Sequence, residues 1–349
     1  MSFRLSNTIV HKAFLSFALL TSTAPTILAF PFSTWDTNRD GKIDINRESP
    51  PANIRRTLKE YDTDNDGFLS KKEYTHLLDS TIPNTIQPEF NLPYSNEQEI
   101  QRLDIYRSKQ NRKPRPLLIF IHGGAWNLGD KASAITWNLP TVAEKSGYVL
   151  ASVNFRSIQS APWPGPAADI MSAINWLSTN GESYGYDGSH ITLFGVSSGA
   201  HLAAFLSHQA QIPQKTPNPI ASTILVSGAF DLNAYIEETE DLDHEKNTSP
   251  LYQFFRLPPR RSAPLLRGAS PQNIPPQSNF SSLVVHGDQD ALVSPQQSIR
   301  YSDFLRHHEL DADLKILPGI GHTVISSDSF VSLIIGFLIR QRKSAGQIE

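Results

Sequence analysis

The sequence contains no cysteine among its 349 residues. Disulfide bonds are therefore excluded, and so is a lipoprotein anchor, which requires an acylated cysteine. Exported proteins often rely on disulfides for stability. This chain must instead be held together by its apolar core and by any metal ion that it binds.

The sequence also lacks a strong net charge and a long apolar run. Lys and Arg number 31 and Asp and Glu 34, which gives a net charge of −3, so no nucleic-acid partner is indicated. The late apolar stretch at 330–339 is ten residues long, whereas a membrane-spanning helix needs about 20 residues. We expect a buried helix there and no membrane span.

The first 29 residues have a different character. Arg4 and Lys12 form a basic start, residues 13–20 are mostly apolar, and Ala29 is a small residue at a suitable cleavage point. This pattern is typical of a secretory signal peptide. The alternative, an uncleaved anchor helix, is disfavoured because hydroxyl residues and Pro25 interrupt the apolar run. We predict cleavage near Ala29 and export to the periplasm or the medium.

Composition divides the rest of the chain. Residues 30–80 carry two loops rich in Asp, Asn and Gly, and residues 81–96 hold three prolines without a helical period. We predict a small helical EF-hand-like pair over 30–80 and a linker over 81–96. A catalytic domain is expected over 97–343, followed by a short tail at 344–349.

From residue 97 onward, short apolar runs alternate with segments of helical periodicity. Continuous apolar strands of this kind are expected when helices cover both faces of a parallel sheet. The predicted fold class is therefore α/β. The strand candidates are 117–121, 148–153, 191–194, 221–226, 282–285 and 314–317.

Residues 231–280 interrupt this alternation. They contain no convincing strand, and seven prolines fall between Pro250 and Pro276. Long connections in compact domains are usually binding loops, lids or disordered segments. This one lies between two late strands, at the edge of the sheet where α/β folds bind ligands. We therefore predict a lid or substrate loop, with a disordered insertion as the alternative.

A Gly-x-Ser-x-Gly sequence at 195–199 follows the strand candidate 191–194 and precedes a helical segment. Strand, sharp turn and helix form the setting of a nucleophile elbow, in which the flanking glycines permit the turn. The motif alone is weak, because it arises by chance in roughly one chain in ten of this length. Its position after a buried strand makes Ser197 the candidate nucleophile.

A serine hydroxyl needs an adjacent base to take its proton. In this fold the acid and then the histidine follow the serine in the chain, which removes most of the eleven histidines. His307 and His308 lie in a helical stretch, whereas His322 follows the last strand candidate in a glycine-containing loop. His322 is therefore the candidate base.

Two aspartates follow the strand candidate 282–285 in the sequence His-Gly-Asp-Gln-Asp. The acid must orient the histidine and stabilise its cation. We favour Asp290, three residues after Gly287, over Asp288, which we interpret as a solvated loop residue. Asp231, after the preceding strand candidate, is a more remote alternative.

Hydrolysis also needs donors that point at the developing oxyanion. Residues 122–126, His-Gly-Gly-Ala-Trp, follow the first strand candidate, in the position of the oxyanion loop of esterases. Glycine there lets backbone N–H groups approach the substrate. His122 is interpreted as a structural residue. The expected donors are the N–H groups of Gly124, Ala125 and Ser198.

Together these blocks resemble the esterase and lipase group of α/β-hydrolases, which includes hormone-sensitive-lipase-like esterases, feruloyl and acetyl-xylan esterases and kynurenine formamidase. The resemblance covers about residues 97–342 and implies a mostly parallel eight-stranded sheet and an acyl-enzyme mechanism. Ala125 replaces the third glycine of the family's loop, and Ser198 stands where alanine is usual. Arg156 and Asp169 look like a structural ion pair of this family.

Residues 62–73 match the twelve-residue EF-hand loop at every position. Carboxylates stand at positions 1, 3, 5 and 12, glycine at position 6, and a residue that offers its backbone carbonyl at position 7. A solvated acidic turn is the alternative. The expected calcium ligands are Asp62, Asp64, Asp66, Phe68 and Glu73.

A second, poorer match precedes this loop. Arg47 occupies its twelfth position, where the loop requires a carboxylate. Ile43 and Leu69 are expected to bridge the two loops. We predict one good calcium site and one weaker site, which serve stability or partner docking. The candidate ligands of the weaker site are Asp36, Asn38, Asp40, Lys42 and Asp44.

The leading functional hypothesis is an exported serine hydrolase that cleaves a small-molecule or polysaccharide-linked carboxylic ester. Calcium is the expected structural cofactor, and catalysis needs none. A formamidase, another amidase or a peptidase on the same fold is the alternative within this class. From a different class, a calcium-dependent binding module with a decayed hydrolase domain is the alternative, although the intact candidate residues argue against it. The sequence indicates neither acyl nor alcohol specificity nor an oligomeric state.

Overall fold

The computed structural model describes residues 42–45, 59, 61–110, 113–209, 219–239, 250–257, 259–322 and 328–346. The predicted signal peptide at 1–29 lies outside these residues. So do Asp36, Asn38 and Asp40 of the weaker calcium loop, whereas its other candidate ligands, Lys42 and Asp44, are described.

A pair of short strands joins the two loops for which the sequence predicts calcium binding. Strand β1 (Lys42–Asp44) runs antiparallel to β2 (Phe68–Ser70), and Ile43 lies opposite Leu69. The expected bridge between the loops is therefore present. Helix α1 (Lys71–Thr81) begins directly after β2.

Among the described residues, the main sheet has eight strands in the order β10-β9-β8-β7-β5-β6-β4-β3. Strands β5 to β10 are parallel to one another, and β4 and β3 are added antiparallel at one edge. The α/β fold class and the mostly parallel eight-stranded sheet are thus confirmed, and all six strand candidates lie in or overlap β5 to β10. The bounds are β3 (Ile86–Pro93), β4 (Arg102–Ser108), β5 (Arg115–Ile121), β6 (Val149–Val153), β7 (Tyr186–Val196), β8 (Ile220–Val226), β9 (Ser281–Gly287) and β10 (Ala312–Leu317).

Helices cover both faces of this sheet. Successive side chains of a strand point to opposite faces, and β5 follows this rule: Leu117 and Ile119 join one buried cluster with α4 and α5, while Leu118 joins another with α3 and α10. None of the helices in the described ranges is long and apolar enough to cross a membrane. Their bounds are α2 (Ser133–Thr136), α3 (Leu139–Ser146), α4 (Gly165–Tyr184), α5 (Ser198–Ser207), α6 (Leu232–Glu238), α7 (Pro250–Phe255), α8 (Pro259–Ala269), α9 (Pro295–His307) and α10 (Asp328–Ser344).

The prediction of a linker over 81–96 is wrong. Half of this segment is β3, which pairs with β4 at the edge of the main sheet. Pro88 and Pro93 lie within this strand, and an edge strand tolerates proline because one row of its backbone groups needs no partner. The prolines therefore mark a sheet edge here.

Without a linker, the EF-hand loop packs directly on the catalytic domain. Ile43 and Leu69 are fully buried, and Tyr74 is nearly so. These side chains belong to the same buried cluster as Tyr106 of β4 and Phe120 of β5. The N-terminal strands thus share a core with the sheet.

The segment 231–280 is built mainly from helices where it is described. Helices α6, α7 and α8 bury apolar side chains in the core cluster on one face of the sheet: Leu232, Leu251, Phe254 and Leu266. Pro250 and Pro259 are the first residues of α7 and α8, a position where proline needs no N–H partner. Prolines are also frequent in loops, so the sequence predicts a loop where these helices begin. We call the described residues 250–273 the cap.

Candidate functional site

Ser197 lies on a sharp turn between β7 and α5. Its backbone has φ 54° and ψ −121°, a conformation that is rare for residues other than glycine. The flanking glycines are required by close packing: a Cβ on Gly195 would lie 2.3 Å from the Gly199 carbonyl oxygen, and one on Gly199 would lie 2.1 Å from that of Ile121. The turn therefore exposes the serine hydroxyl at the end of a strand, as a nucleophile elbow does.

The structure brings Ser197, His322 and Asp290 together. His322 Nε2 is 3.0 Å from Ser197 Oγ, and His322 Nδ1 is 2.7 Å from Asp290 Oδ2. A carboxylate oxygen only accepts hydrogen bonds, so Nδ1 carries the proton and Nε2 of the neutral ring is left to accept from the serine. The three candidate residues thus have the geometry of a serine–histidine–aspartate triad.

The side chain of Asp290 is fully buried and receives four hydrogen bonds. Oδ1 accepts from the backbone N–H groups of Leu292 and Val293, at 2.9 Å each, and Oδ2 accepts from His286 and His322. Burial raises the pKa of Asp290, but the hydrogen bonds from the two histidines outweigh that effect and hold it well below its usual range. Asp290 therefore stays ionised beside His322.

His286 is a member of the site that the sequence did not reveal. It is fully buried on β9, and its Nε2 lies 2.9 Å from both Asp290 Oδ2 and the Val293 carbonyl oxygen. Because both partners only accept, Nε2 carries the proton; Nδ1 lies 2.7 Å from Ser298 Oγ. The only sequence signal was its place at the head of the His-Gly-Asp-Gln-Asp block, and chain order removed it as a base.

The two alternative acids have other partners. Asp288 is exposed and accepts from the backbone N–H of Gly319 at 2.7 Å, which braces the turn that leads to His322. Asp231 caps the N-terminus of α6, where its Oδ1 accepts from two backbone N–H groups. Neither contacts His322, so the structure favours Asp290 as the acid.

The residues expected to bind the oxyanion lie against the nucleophile. A Cβ on Gly123 would be 3.2 Å from Ser197 Cβ, so the loop touches the elbow. Within the described residues, the backbone N–H groups of Gly124, Ala125 and Ser198 have no intramolecular acceptor. Backbone donors at a strand end beside a nucleophile are suited to a developing negative charge.

Buried polar contacts hold the two ends of this loop. His122 is buried, stacks on Phe155 at 4.4 Å, and has its pKa lowered by burial, in keeping with a structural role. At the far end, Lys131 Nζ lies 2.8 Å from Asp104, and both side chains are buried. The Lys131 N–H donates to Asn154 Oδ1 at 2.6 Å. These contacts fix the loop to strands β4 and β6.

Arg156 and Asp169 form the expected structural ion pair. Arg156 Nη2 lies 2.6 Å from Asp169 Oδ1, and the Arg156 backbone N–H donates to Oδ2 at 2.9 Å. Gln101 Nε2 also donates to this carboxylate. Asp169 is buried, so these donors compensate for its desolvation.

The EF-hand loop places three of its predicted ligands together. Carboxylate oxygens of Asp62, Asp64 and Asp66 lie within 4.8 Å of one another, a donor set that suits a hard divalent cation such as calcium. Lys42 Nζ, from the other loop, lies 2.8 Å from Asp66 Oδ2. Lys42 thus meets the better loop through its side chain.

Glu73 has a second task besides the one that the sequence predicts. Its carboxylate accepts from the backbone N–H groups of Thr63 and Ser70, at 2.7 and 3.0 Å. Burial raises the pKa of Glu73, but these hydrogen bonds, with those from the two hydroxyls, lower it to about 2. Together with Ser70, Glu73 forms a capping box at the start of α1. It is held across the loop, apart from the cluster of three aspartates.

The fold and this site define an α/β-hydrolase with an attached EF-hand loop, and comparisons with known proteins agree. The profile of the BD-FAE family matches residues 103–305, and that of the EF hand matches residues 54–78. Since the first match spans more than half of the chain, the chain belongs to the BD-FAE family.

Several curated relatives are named as esterases. The chain is 28% identical to esterase LipC of Mycobacterium tuberculosis over 235 residues, which cover 64% of this chain and 56% of that protein. It is 25% identical to the isoprenylcysteine alpha-carbonyl methylesterase ICME of Arabidopsis thaliana over 236 residues, 65% of this chain and 55% of that protein. The chain thus spans about half the length of the curated relatives it matches.

Solved structures share the fold. A truncated carbohydrate esterase from gut microbiota superposes with a TM-score of 0.66 at 24% identity, covering 76% of this chain and 98% of that one. Esterase B from Lactobacillus rhamnosis gives a TM-score of 0.60 at 18% identity, covering 77% and 90%. At these identities the likeness concerns the fold alone.

We predict that Asp290→Asn lowers the rate of p-nitrophenyl ester hydrolysis by about 10⁴-fold, because an amide cannot hold His322 in the tautomer that accepts from Ser197. Asp288→Asn is the matched control, since an asparagine carbonyl can still accept from Gly319. It should cost far less than Asp290→Asn, because Asp288 does not contact His322. Equal, small losses for both variants would show that the acid lies elsewhere.

Proposed function

We propose that this protein hydrolyses carboxylic esters through an acyl-enzyme on Ser197. The observation that carries the proposal is the chain of hydrogen bonds from Asp290 through His322 to Ser197, next to three backbone N–H groups without intramolecular acceptors in the described residues. The esterase names of the curated relatives support the reaction class.

The reaction follows from the positions of these atoms. His322 Nε2 takes the proton of Ser197 Oγ as this oxygen attacks the ester carbonyl carbon. The resulting oxyanion accepts from the N–H groups of Gly124, Ala125 and Ser198. Collapse of the tetrahedral intermediate breaks the carbon–oxygen bond to the alcohol, which leaves with the proton from His322.

Deacylation repeats these steps with water. His322 removes a proton from water as the water oxygen attacks the acyl carbon, and the same N–H groups stabilise the second oxyanion. The carbon–Oγ bond then breaks, and His322 returns the proton to Ser197. Asp290 stays ionised throughout and stabilises the imidazolium that forms in each half-reaction.

The alcohol part of the substrate is proposed to be a small molecule or a polysaccharide. The carbohydrate esterase among the structural neighbours motivates the second choice. A formamidase or another amidase remains the alternative on the same site, and a panel of matched acetyl esters and acetanilides separates the two. An assembled triad argues against a decayed hydrolase that serves only as a binding module.

Calcium binding and export complete the proposal. Asp62, Asp64 and Asp66 would hold the ion, and the bound ion would neutralise these three clustered carboxylates. The remaining loop ligands would be the Phe68 carbonyl and Glu73, whose carboxylate would turn from its hydrogen bonds with Thr63 and Ser70 to the ion. The weaker loop would contribute through Lys42 and Asp44 among its described residues. Export rests on the predicted signal peptide at 1–29, and a mature chain that begins near Phe30 in the medium or periplasm would support it.

Ser197→Ala is expected to abolish turnover, with a loss of several orders of magnitude in kcat, because no other group can form the acyl-enzyme. Ser198→Ala keeps the backbone N–H and removes only a hydroxyl that has no hydrogen-bond partner within the described residues, so it should retain most of the activity. The measurement is steady-state hydrolysis of a p-nitrophenyl ester by both variants, with circular dichroism to verify folding. An active Ser197→Ala enzyme would refute the assignment of the nucleophile.

Removal of calcium is expected to lower the unfolding temperature but to leave most of the activity on a small soluble ester. No step of the proposed reaction uses a metal, whereas β1 and β2 share a core with the sheet. Initial rates and thermal unfolding with and without EDTA test this, at a temperature well below the transition. Loss of nearly all activity on chelation, restored by calcium, would contradict it.

The proposed calcium site also predicts how a change in one of its ligands affects calcium affinity. Glu73→Gln should weaken calcium binding strongly in a calorimetric titration, because it removes the charge of the expected bidentate ligand. Glu99→Gln removes an exposed carboxylate outside the loop and serves as the control for net charge. Equal affinities for both variants would exclude Glu73 as a ligand.

A further inference from the structure

The oxyanion loop has an unusual backbone. Gly124, Ala125 and Trp126 follow one another with φ angles of 125°, 52° and 59°. Glycine adopts positive φ readily, but alanine and tryptophan do so only when surrounding contacts impose it. The two expected oxyanion donors in this loop therefore depend on whatever holds Trp126.

Trp126 is anchored by its indole ring. The ring is buried, and its Nε1–H donates to His201 Nδ1 at 3.1 Å. It also meets the rings of His201 and Phe254 edge-on, with centroids 5.3 and 5.0 Å apart. The indole N–H is the one polar group of the Trp126 side chain, so its hydrogen bond gives the ring a defined direction.

The hydrogen bond of His201 Nε2 determines that Nδ1 is the nitrogen that accepts from Trp126. Nε2 lies 2.8 Å from the carbonyl oxygen of Ala269. A carbonyl oxygen only accepts, so Nε2 carries the proton and Nδ1 presents a lone pair to Trp126. Burial lowers the pKa of His201 to about 4, in agreement with a neutral ring.

His201 therefore joins three parts of the site. It lies on α5, four residues after Ser197; it accepts from the oxyanion loop through Trp126; and it donates to Ala269, the last residue of α8 in the cap. The oxyanion loop and the cap meet on the His201 side chain, and the nucleophile elbow meets the same residue through its backbone. Neither hydrogen bond of the His201 side chain involves a triad residue; only its backbone N–H does, which donates to the Ser197 carbonyl oxygen at 3.1 Å.

We propose that His201 is a positioning residue which, through its hydrogen bond with Trp126, aims the N–H groups of Gly124 and Ala125 at the oxyanion. The proposal rests on the proposed ester hydrolysis and deepens it. It makes the cap part of the catalytic geometry, because the Ala269 carbonyl selects the tautomer of His201 that can accept from the loop. It also explains why Ala125 suffices where the related loops have glycine: its positive φ is imposed by its neighbour.

The test is Trp126→Phe, which removes the indole N–H and keeps an aromatic ring. Oxyanion donors act mainly in the transition state. We expect kcat to fall by about 10- to 100-fold while KM stays within about twofold, since the loss of one complete donor costs about 10²- to 10³-fold. The affinity for a boronic acid that forms a tetrahedral adduct with Ser197 should fall by a similar factor.

Trp163→Phe is the matched control. Trp163 belongs to the same aromatic cluster and contacts His201 and Phe254, with centroids 5.7 and 4.9 Å apart. Its indole N–H makes no hydrogen bond within the described residues, so the same change of ring should leave kcat and boronate affinity within about threefold. Thermal unfolding of both variants measures the packing contribution separately.

His201→Phe provides an independent route, because it removes the acceptor in place of the donor. If the two residues act through one hydrogen bond, the double variant Trp126→Phe/His201→Phe should lose no more activity than either single variant. Additive losses would overturn the proposal, and so would unchanged kcat and boronate affinity in a folded Trp126→Phe enzyme. An inactive wild-type enzyme would overturn the proposed ester hydrolysis itself. With an active wild-type enzyme, the contradicting results above would overturn only the role of His201.

Discussion

A buried carboxylate at Asp290 is the constraint on which the site depends. An ionised group can lie in a protein interior only if donors replace its water, and Asp290 finds four: two backbone N–H groups of its own turn and two histidines. One of those donors is His322, whose ring is thereby oriented toward Ser197. The requirement to satisfy one buried charge thus also fixes the direction of the base.

The parallel sheet explains why residues so distant in sequence meet. The oxyanion loop, Ser197 and the Asp290 turn follow the carboxyl ends of β5, β7 and β9, and His322 follows that of β10, all at one edge of the sheet. Helix α5 then carries His201 back under the loop. The cap reaches the same point through Ala269. The fold therefore supplies the positions, and buried hydrogen bonds set the orientations within them.

Much of this arrangement could be predicted, since local pattern and chain order determine it. Buried parallel strands are continuous apolar runs, the elbow has its own motif, and the order serine, acid, histidine left few candidates. Strand β3 could not be predicted because its prolines suit an edge strand as well as a linker. The cap helices begin with prolines, which are equally typical of loops that interrupt secondary structure. His286 and His201 were not predicted because their roles arise from hydrogen bonds with Asp290 and Trp126, which lie 4 and 75 residues away along the chain. The place of His286 in the His-Gly-Asp-Gln-Asp block indicates a site but does not specify such a bond.

The central claim, that Ser197 is a nucleophile activated by its neighbours, is tested most directly by reaction of the folded protein with a fluorophosphonate, followed by peptide mapping. The account predicts one phosphonyl group per chain, attached to Ser197, and no adduct after the protein has been unfolded. An adduct on Ser198 or another serine of the folded protein, or no adduct at all, would contradict it.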